Sequence, residues 1–242
     1  MIRFRKAVLI IHGFAGGTYD QEYLANYLEL NQKLDVYSFT LPGHDVKSRE
    51  KATCTSWIEE SEKHLNFLLE NGYKTIYLVG HSMGGVIACH LATKYKEVKK
   101  IVLAAPAFTH LASPKEGGIL GAIGKSPELI KSYSTDEFFT RVRKLPITAV
   151  KEFFKLIEKY QNTIEEIKIP VMILHGTKDQ IVPLTSSQEI FEELPSKHKY
   201  LVTVNDYYHD LFKGKKVYDL SKEIENFLIK PKFMIKKLKK EV

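Results

Sequence analysis

Apolar residues fall into two rhythms along this chain. One is a set of short, unbroken, largely β-branched runs: AVLII (7–11), LDVYSF (34–39), TIYLVG (75–80), KIVLAA (100–105), IPVMILHG (169–176) and KYLVTV (199–204). Runs without polar alternation suit strands covered on both faces. The other rhythm is helical. In 56–70, Trp57, Ile58, Ser61, Leu65, Leu68 and Leu69 share one face, with Ser56 and Glu59 at capping-box spacing. Ser186 and Glu189 repeat that spacing before the stripe Ile190, Phe191 and Leu194, and Val217, Leu220, Ile224, Phe227 and Leu228 mark a last helix over about 216–229. Strand and helix alternate, which predicts an α/β fold with a doubly wound, mostly parallel sheet of about six strands and right-handed crossovers.

One interval breaks the alternation. About 60 residues separate KIVLAAP from IPVMILHG, far more than one crossover helix requires. This insert holds GGILGAIG (117–124), then EFFTRVRKL, then ITAVKEFFKLIEKY, in which Val150, Phe153, Phe154 and Ile157 form an apolar face. Residues 107–167 are read as a helical cap over the carboxyl edge of the sheet, with a pair of surface helices as the plainer alternative. The core then comprises 1–106 and 168–230, and 231–242 form a basic tail.

The net charge of +7 changes the picture once it is located. KPKFMIKKLKKEV at the C-terminus carries +5 of it, so the body is near neutral and no nucleic-acid-binding face is expected. The tail reads either as a solvated, frayed terminus or as a short amphipathic segment, with Met234, Ile235 and Leu238 on one side, that makes weak contact with an anionic membrane surface. The basic N-terminus, MIRFRKAVL, falls short of a signal peptide, because AVLII has five apolar residues and a signal needs about 7–15. Nowhere is there an apolar stretch of about 18 residues, the length of a membrane span. Cys54 and Cys89 make neither a disulfide framework nor a zinc set, and read as reduced thiols of a cytoplasmic protein. Composition carries no signal for an oligomeric state.

The chemistry centres on VGHSMGG (79–85). Gly80-His81-Ser82-Met83-Gly84 fits G-x-S-x-G, with a strand running into it and a helix leaving it. Such a turn strains the serine and lifts its hydroxyl clear of the backbone at the positive end of a helix. A turn of purely structural purpose would use the same glycines. A serine nucleophile needs a base. Of nine histidines, His64, His90 and His198 fall in or beside helices and His110 in the insert. His12, His44, His81 and His175 follow strands but sit in turns with local roles, which leaves His209, after the last run. Asp179 follows the preceding strand. Asp206 and Asp210 are rivals for orienting the base, but stand too near His209 in the chain to reach its ring easily. The order Ser82, Asp179, His209 is that of an α/β-hydrolase triad. The chain has no G-x-x-x-x-G-K-[ST], no G-x-G-x-x-G and no clear metal-ligand spacing, so no cofactor and no metal are expected.

HGFAGG (12–17), LPGHD (41–45), GHSMGG (80–85), IPVMILHGTKDQIVP (169–183) and HDLF (209–212) together resemble the serine hydrolases of the α/β-hydrolase superfamily, and within it the small carboxylesterases and monoacylglycerol lipases. The resemblance spans most of the chain. It implies that HGFAGG is the loop after the family's third strand, with the backbone N–H groups of Phe14 and Met83 as oxyanion donors. It further implies an acyl ester as small-molecule substrate, of small to medium acyl length. Phe14, Phe108, Phe153, Phe154 and Ile181, with Phe138 and Phe139, are candidates to line the acyl site, although paired aromatics at helical spacing also suit a core. Two features depart from the family. HGF begins at residue 12, which leaves no room for two leading strands, and the approach to His209 is Asn205-Asp206-Tyr207-Tyr208 where relatives often carry a small residue. Asn and Asp tolerate positive φ, which keeps that turn feasible. A thioesterase, a carbon–carbon bond hydrolase with the same triad, and a ligand-binding protein with little turnover are the alternatives.

Overall fold

The computed structural model of the chain describes residues 5–31, 33–45, 52–108, 145–179, 181–235 and 237–242. The chain enters through β1 (Lys6–Ile11), passes a 3₁₀ turn (Thr18–Gln21) and α1 (Glu22–Glu29), and returns in β2 (Leu34–Ser38). Then come α2 (Cys54–Glu70), β3 (Ile76–His81), α3 (Met83–Lys94) and β4 (Val98–Ala104). After the insert follow α4 (Ile147–Tyr160), β5 (Val171–Gly176), α5 (Leu184–Glu193), β6 (Lys199–Val204), α6 (Val217–Ile229) and β7 (Leu238–Glu241).

The seven strands form one sheet in the order β2-β1-β3-β4-β5-β6-β7, and every neighbouring pair is parallel. Burial on both faces explains the apolar runs of β1 and β3 to β6, whereas β2 lies at the edge and is half-buried. Successive residues point to opposite sides, so Leu9, Ile11 and Leu78 pack with α2, α3, α4 and α5. Val8, Ile10, Tyr77 and Val79 pack with α1 and α6.

The seventh strand corrects the expected count of six, and with it the reading of the tail. The last residues do not fray but extend the sheet as its edge strand. Ile235 is buried while Met234 and Leu238 are exposed. β7 lies beside β6, and beyond it the Val242 N–H donates to the Thr203 carbonyl and the Val242 carbonyl accepts from Asn205 N–H, both at 2.9 Å. Lys237 and Lys239 pair with Glu192, and Lys240 with Glu223. Lysines along an outermost strand discourage pairing with a further chain.

Helix starts also differ from the spacing. Thr53, not Ser56, caps α2: its hydroxyl accepts from the Ser56 N–H, and Ser56 Oγ accepts from the Thr53 N–H. α5 starts after Pro183, with Ser186 inside its first turn. α1 carries no apolar signal beyond Leu24 and Leu28, and becomes a helix by laying those two against β1 and α6. Of the stretch expected to form a cap, residues 109–144 lie outside the described residues. Its closing part, α4, buries Ala149, Val150, Phe153, Leu156 and Ile157 in the same core as α2 and α3. No helix among the described residues is long and apolar enough to cross a membrane.

Candidate active site

β1 lies between β2 and β3, so the chain leaves β1 toward one edge and returns on its other side. A crevice opens at such a reversal, outside the carboxyl ends of the two strands. HGF follows β1 there and Ser82 follows β3. Ser82 takes φ 52° and ψ −116°, a conformation that costs a non-glycine residue about 1–3 kcal/mol. The fold over-determines it. The Ser82 N–H donates to Ala104 O at 2.8 Å, and Ser82 O accepts from Gly85 and Ala107 N–H at 3.0 and 3.2 Å. Close packing dictates the glycines: a Cβ at Gly80 would overlap the Gly84 carbonyl, and one at Gly84 would overlap the Ile11 carbonyl.

The HGF loop lies directly against this turn, since a Cβ at Gly13 would stand 3.1 Å from Ser82 Cβ. Gly16 N–H closes a turn onto Gly13 O at 3.1 Å, and Ala15 holds φ 58°. His12 fixes the loop from beneath, its Nδ1–H donating to Gly13 O at 2.7 Å while Nε2 accepts from Leu41 N–H at 2.9 Å. Burial keeps His12 neutral by lowering its pKa to about 3, as that pattern of one donor and one acceptor requires. The N–H groups of Phe14 and Met83 meet no acceptor among the described residues. Met83 opens α3, where first-turn N–H groups have no partner within the helix.

The third and fourth pieces arrive from β5 and β6. His209 Nδ1–H donates to Asp179 Oδ2 at 2.7 Å, and both side chains are buried. Asp179 Oδ1 accepts from Ile181 and Val182 N–H, each at 2.9 Å. Burial alone would raise the Asp179 carboxyl, but the His209 ring, then His175 and the Val182 N–H, outweigh it and hold the carboxyl below its usual range. Burial alone would lower His209, and the Asp179 charge and hydrogen bond raise it above the ordinary histidine value instead. Of the rival acids, Asp206 is in an exposed ion pair with Lys178 at 2.8 Å, and Asp210 adds a weaker charge effect on His209 behind that of Asp179. Asp206 holds φ 57°, the positive φ that the glycine-free approach to His209 calls for.

The other strand-end histidines have local partners. His81 Nε2–H donates to the backbone carbonyl of His209 at 3.0 Å, and His175 lies between Val182 and Ser187. His44 donates to Pro42 O at 3.2 Å, with burial lowering its pKa to about 4. The candidate substrate contacts are more buried than a pocket lining. Phe14 and Phe153 stack face to face at 4.9 Å, with Trp57 and His44 edge-on to Phe14. Phe108 is buried, and Phe154 and Ile181 are half-buried in the same cluster. Phe138 and Phe139 lie outside the described residues. Sequence reasoning placed Trp57 on the apolar face of its helix but missed its indole, which donates to Pro42 O at 2.8 Å and ties the LPGHD turn to α2. Among the described residues, no group of three or more His, Cys, Asp or Glu side chains is placed to hold a metal ion.

A family profile described as the alpha/beta hydrolase fold matches residues 6–127, half of the chain. The chain belongs to the α/β hydrolase fold family. A second profile, described as serine aminopeptidase S33, matches residues 116–216. Among relatives in this family, the thermostable monoacylglycerol lipase of Bacillus sp. (strain H-257) is 25% identical over 210 residues, covering 84% of this chain and 82% of that protein. The carboxylesterase of Bacillus subtilis (strain 168) is 26% identical over 205 residues, covering 81% of each chain. The crystal structure of Paleococcus ferrophilus monoacylglycerol lipase superposes with a TM-score of 0.66 at 25% identity, covering 92% of this chain and 93% of that one.

Proposed function

We propose that this protein is a serine carboxylic ester hydrolase, working through an acyl-enzyme on small to medium acyl esters such as monoacylglycerols. What supports the reading is a strained Ser82 at the head of α3 together with the His209–Asp179 pair, both following strands at the carboxyl edge of one sheet. The names of the two Bacillus relatives support the bond class. In this mechanism Ser82 Oγ attacks the ester carbonyl and His209 takes its proton. Asp179 holds the imidazole with Nδ1–H inward, so that Nε2 carries the lone pair that acts as base. Negative charge develops on the carbonyl oxygen, and the N–H groups of Phe14 and Met83 stabilise it. Losing one such donor typically costs about 10²–10³ in rate. His209 then protonates the leaving alcohol, and water, activated by the same ring, releases the acid. Buried free thiols at Cys54 and Cys89 support a cytoplasmic setting.

A fluorophosphonate probe is expected to label the wild type and not Ser82→Ala. Hydrolysis across a p-nitrophenyl ester series is expected to peak at short to medium chains. An unlabelled, folded wild type would sink the hydrolase reading, and an optimum on insoluble triacylglycerol would sink the substrate class. Parallel assays on an acyl-CoA and a ring-fission diketone separate ester from thioester and carbon–carbon cleavage.

A further inference from the structure

Behind Asp179 lies a second histidine that the reaction does not use. His175, the penultimate residue of β5, is fully buried, with Nε2 2.9 Å from the Val182 carbonyl and 3.3 Å from Asp179 Oδ2. Its Nδ1 is 2.7 Å from the hydroxyl of Ser187, itself buried in the first turn of α5. The partners fix the protons. Val182 O and the Asp179 carboxylate only accept, so Nε2 carries the hydrogen. Nδ1 is then an acceptor and must receive the Ser187 O–H. The opposite tautomer would aim a lone pair at two oxygens. Ser187 therefore holds His175 in the one tautomer whose N–H faces Asp179. The loop from 179 to 183 is closed at both ends, by the Asp179 carboxylate on the Ile181 and Val182 N–H groups and by His175 on the Val182 carbonyl.

We propose that Ser187 and His175 form a buried positioning relay that sets the orientation and the charge environment of the Asp179 carboxylate, and through it the basicity of His209. The relay rests on the reading of Asp179 and His209 as the catalytic pair. It is not a second nucleophilic site, because the side chains of Ser187, His175 and Asp179 are all buried from solvent and substrate. The groups facing Asp179 are His209 and His175; those facing His209 are Asp179, Asp210 and, from β3, His81. Taking away the His175 N–H leaves Asp179 with one positive dipole fewer, so the carboxylate holds the His209 proton more tightly.

The test compares His175→Phe, which keeps a ring but no donor, with His175→Gln, whose amide N–H stands where Nε2–H stood. For His175→Phe, kcat on a p-nitrophenyl ester is expected to fall about tenfold, with KM little changed and the acid limb of the pH–rate profile moved to higher pH. His175→Gln is expected to recover most of the rate and the wild-type limb. Equal loss in both variants, or an unmoved limb in folded His175→Phe, overturns the relay. Should His175→Phe fail to fold, Ser187→Ala decides, since it deletes a single hydroxyl. A lowered kcat at constant KM supports the relay, and wild-type kcat and limb overturn it. Fluorophosphonate labelling of the wild type, lost in Ser82→Ala, separates failure of the relay from failure of the reading beneath it.

Discussion

The turn after β3 and the loop after β5 each hold one candidate catalytic side chain, and they hold it by opposite means. Ser82 is fixed by what its neighbours lack. Gly80 and Gly84 have no Cβ, so the turn closes onto the Ile11 carbonyl and the serine is forced to positive φ. Asp179 is fixed by what its neighbours supply: two backbone N–H groups on one oxygen, and two histidine rings facing the other. A steric mould fails abruptly, because backbone cannot move aside in a close-packed sheet. A saturated hydrogen-bond shell fails by degrees, as each donor is lost or weakened.

That contrast sets the order of expected effects. Gly84→Ala is expected to be the most damaging change, since its methyl would meet β1 backbone and not a movable side chain. A loss of about 3 kcal/mol and absence of fluorophosphonate labelling are expected, read by urea denaturation and gel. A folded, fully labelled Gly84→Ala would show that the mould is not tight. Asp179→Asn comes next. It keeps the volume but removes the charge that holds the histidine tautomer, so kcat/KM is expected to fall about 10³–10⁴-fold with the fold intact. A loss under tenfold would pass the orienting role to another acid.

Acidity adds a graded test. His209 must be neutral to accept a proton, and its raised pKa puts the acid limb of kcat/KM above about pH 6.5. In Asp179→Asn the residual limb is expected at lower pH. Stability follows the same pair. The depressed Asp179 carboxyl contributes stability above its unfolded value of about 3.9, lost as pH falls through the folded value. The raised His209 contributes stability below about 6.5, lost as pH rises through its folded value. Urea midpoints against pH are expected to show both flanks in the wild type and neither in Asp179→Asn. The smallest effect is assigned to Asp206→Gly. It relieves a positive φ and gives up an exposed ion pair, so the urea midpoint and the activity are both expected to stay at wild-type values. A large loss of kcat there would mean that the His209 approach depends on the aspartate itself.

Much of this was legible before any fold was known. Six of the seven strands are legible as largely apolar runs, five of them because a strand between two helix layers has no wet face, whereas β2 at the edge carries Asp35 and is only half-buried. Ser82 is legible because its turn tolerates only small neighbours, and His209 and Asp179 because the useful loops lie at one edge of the sheet. β7 was illegible for a physical reason. LKKE has no apolar pattern, and its order comes from backbone pairing with β6 and from lysines reaching Glu192 and Glu223 across the fold. The aromatic cluster around Phe14 was half legible, since spacing marked Phe153 as buried and could not say that its partner would be the HGF loop.

The sequence by itself determined the alternation of strand and helix, the glycines around Ser82 and the chain order of the candidate serine, acid and base. These depend on local sterics and on periodicity, which neighbouring residues encode. Only the tertiary structure decided which partner each buried polar group would find. Lys100 reads as the edge of a strand, yet its ammonium caps the carbonyls of Phe227 and Leu228, each at 2.7 Å, at the end of α6. His175 reads as one more histidine in a turn, yet it stands between Ser187 and Asp179. A hydrogen bond closes over three ångströms between groups that can lie anywhere in the chain, so no local pattern announces it.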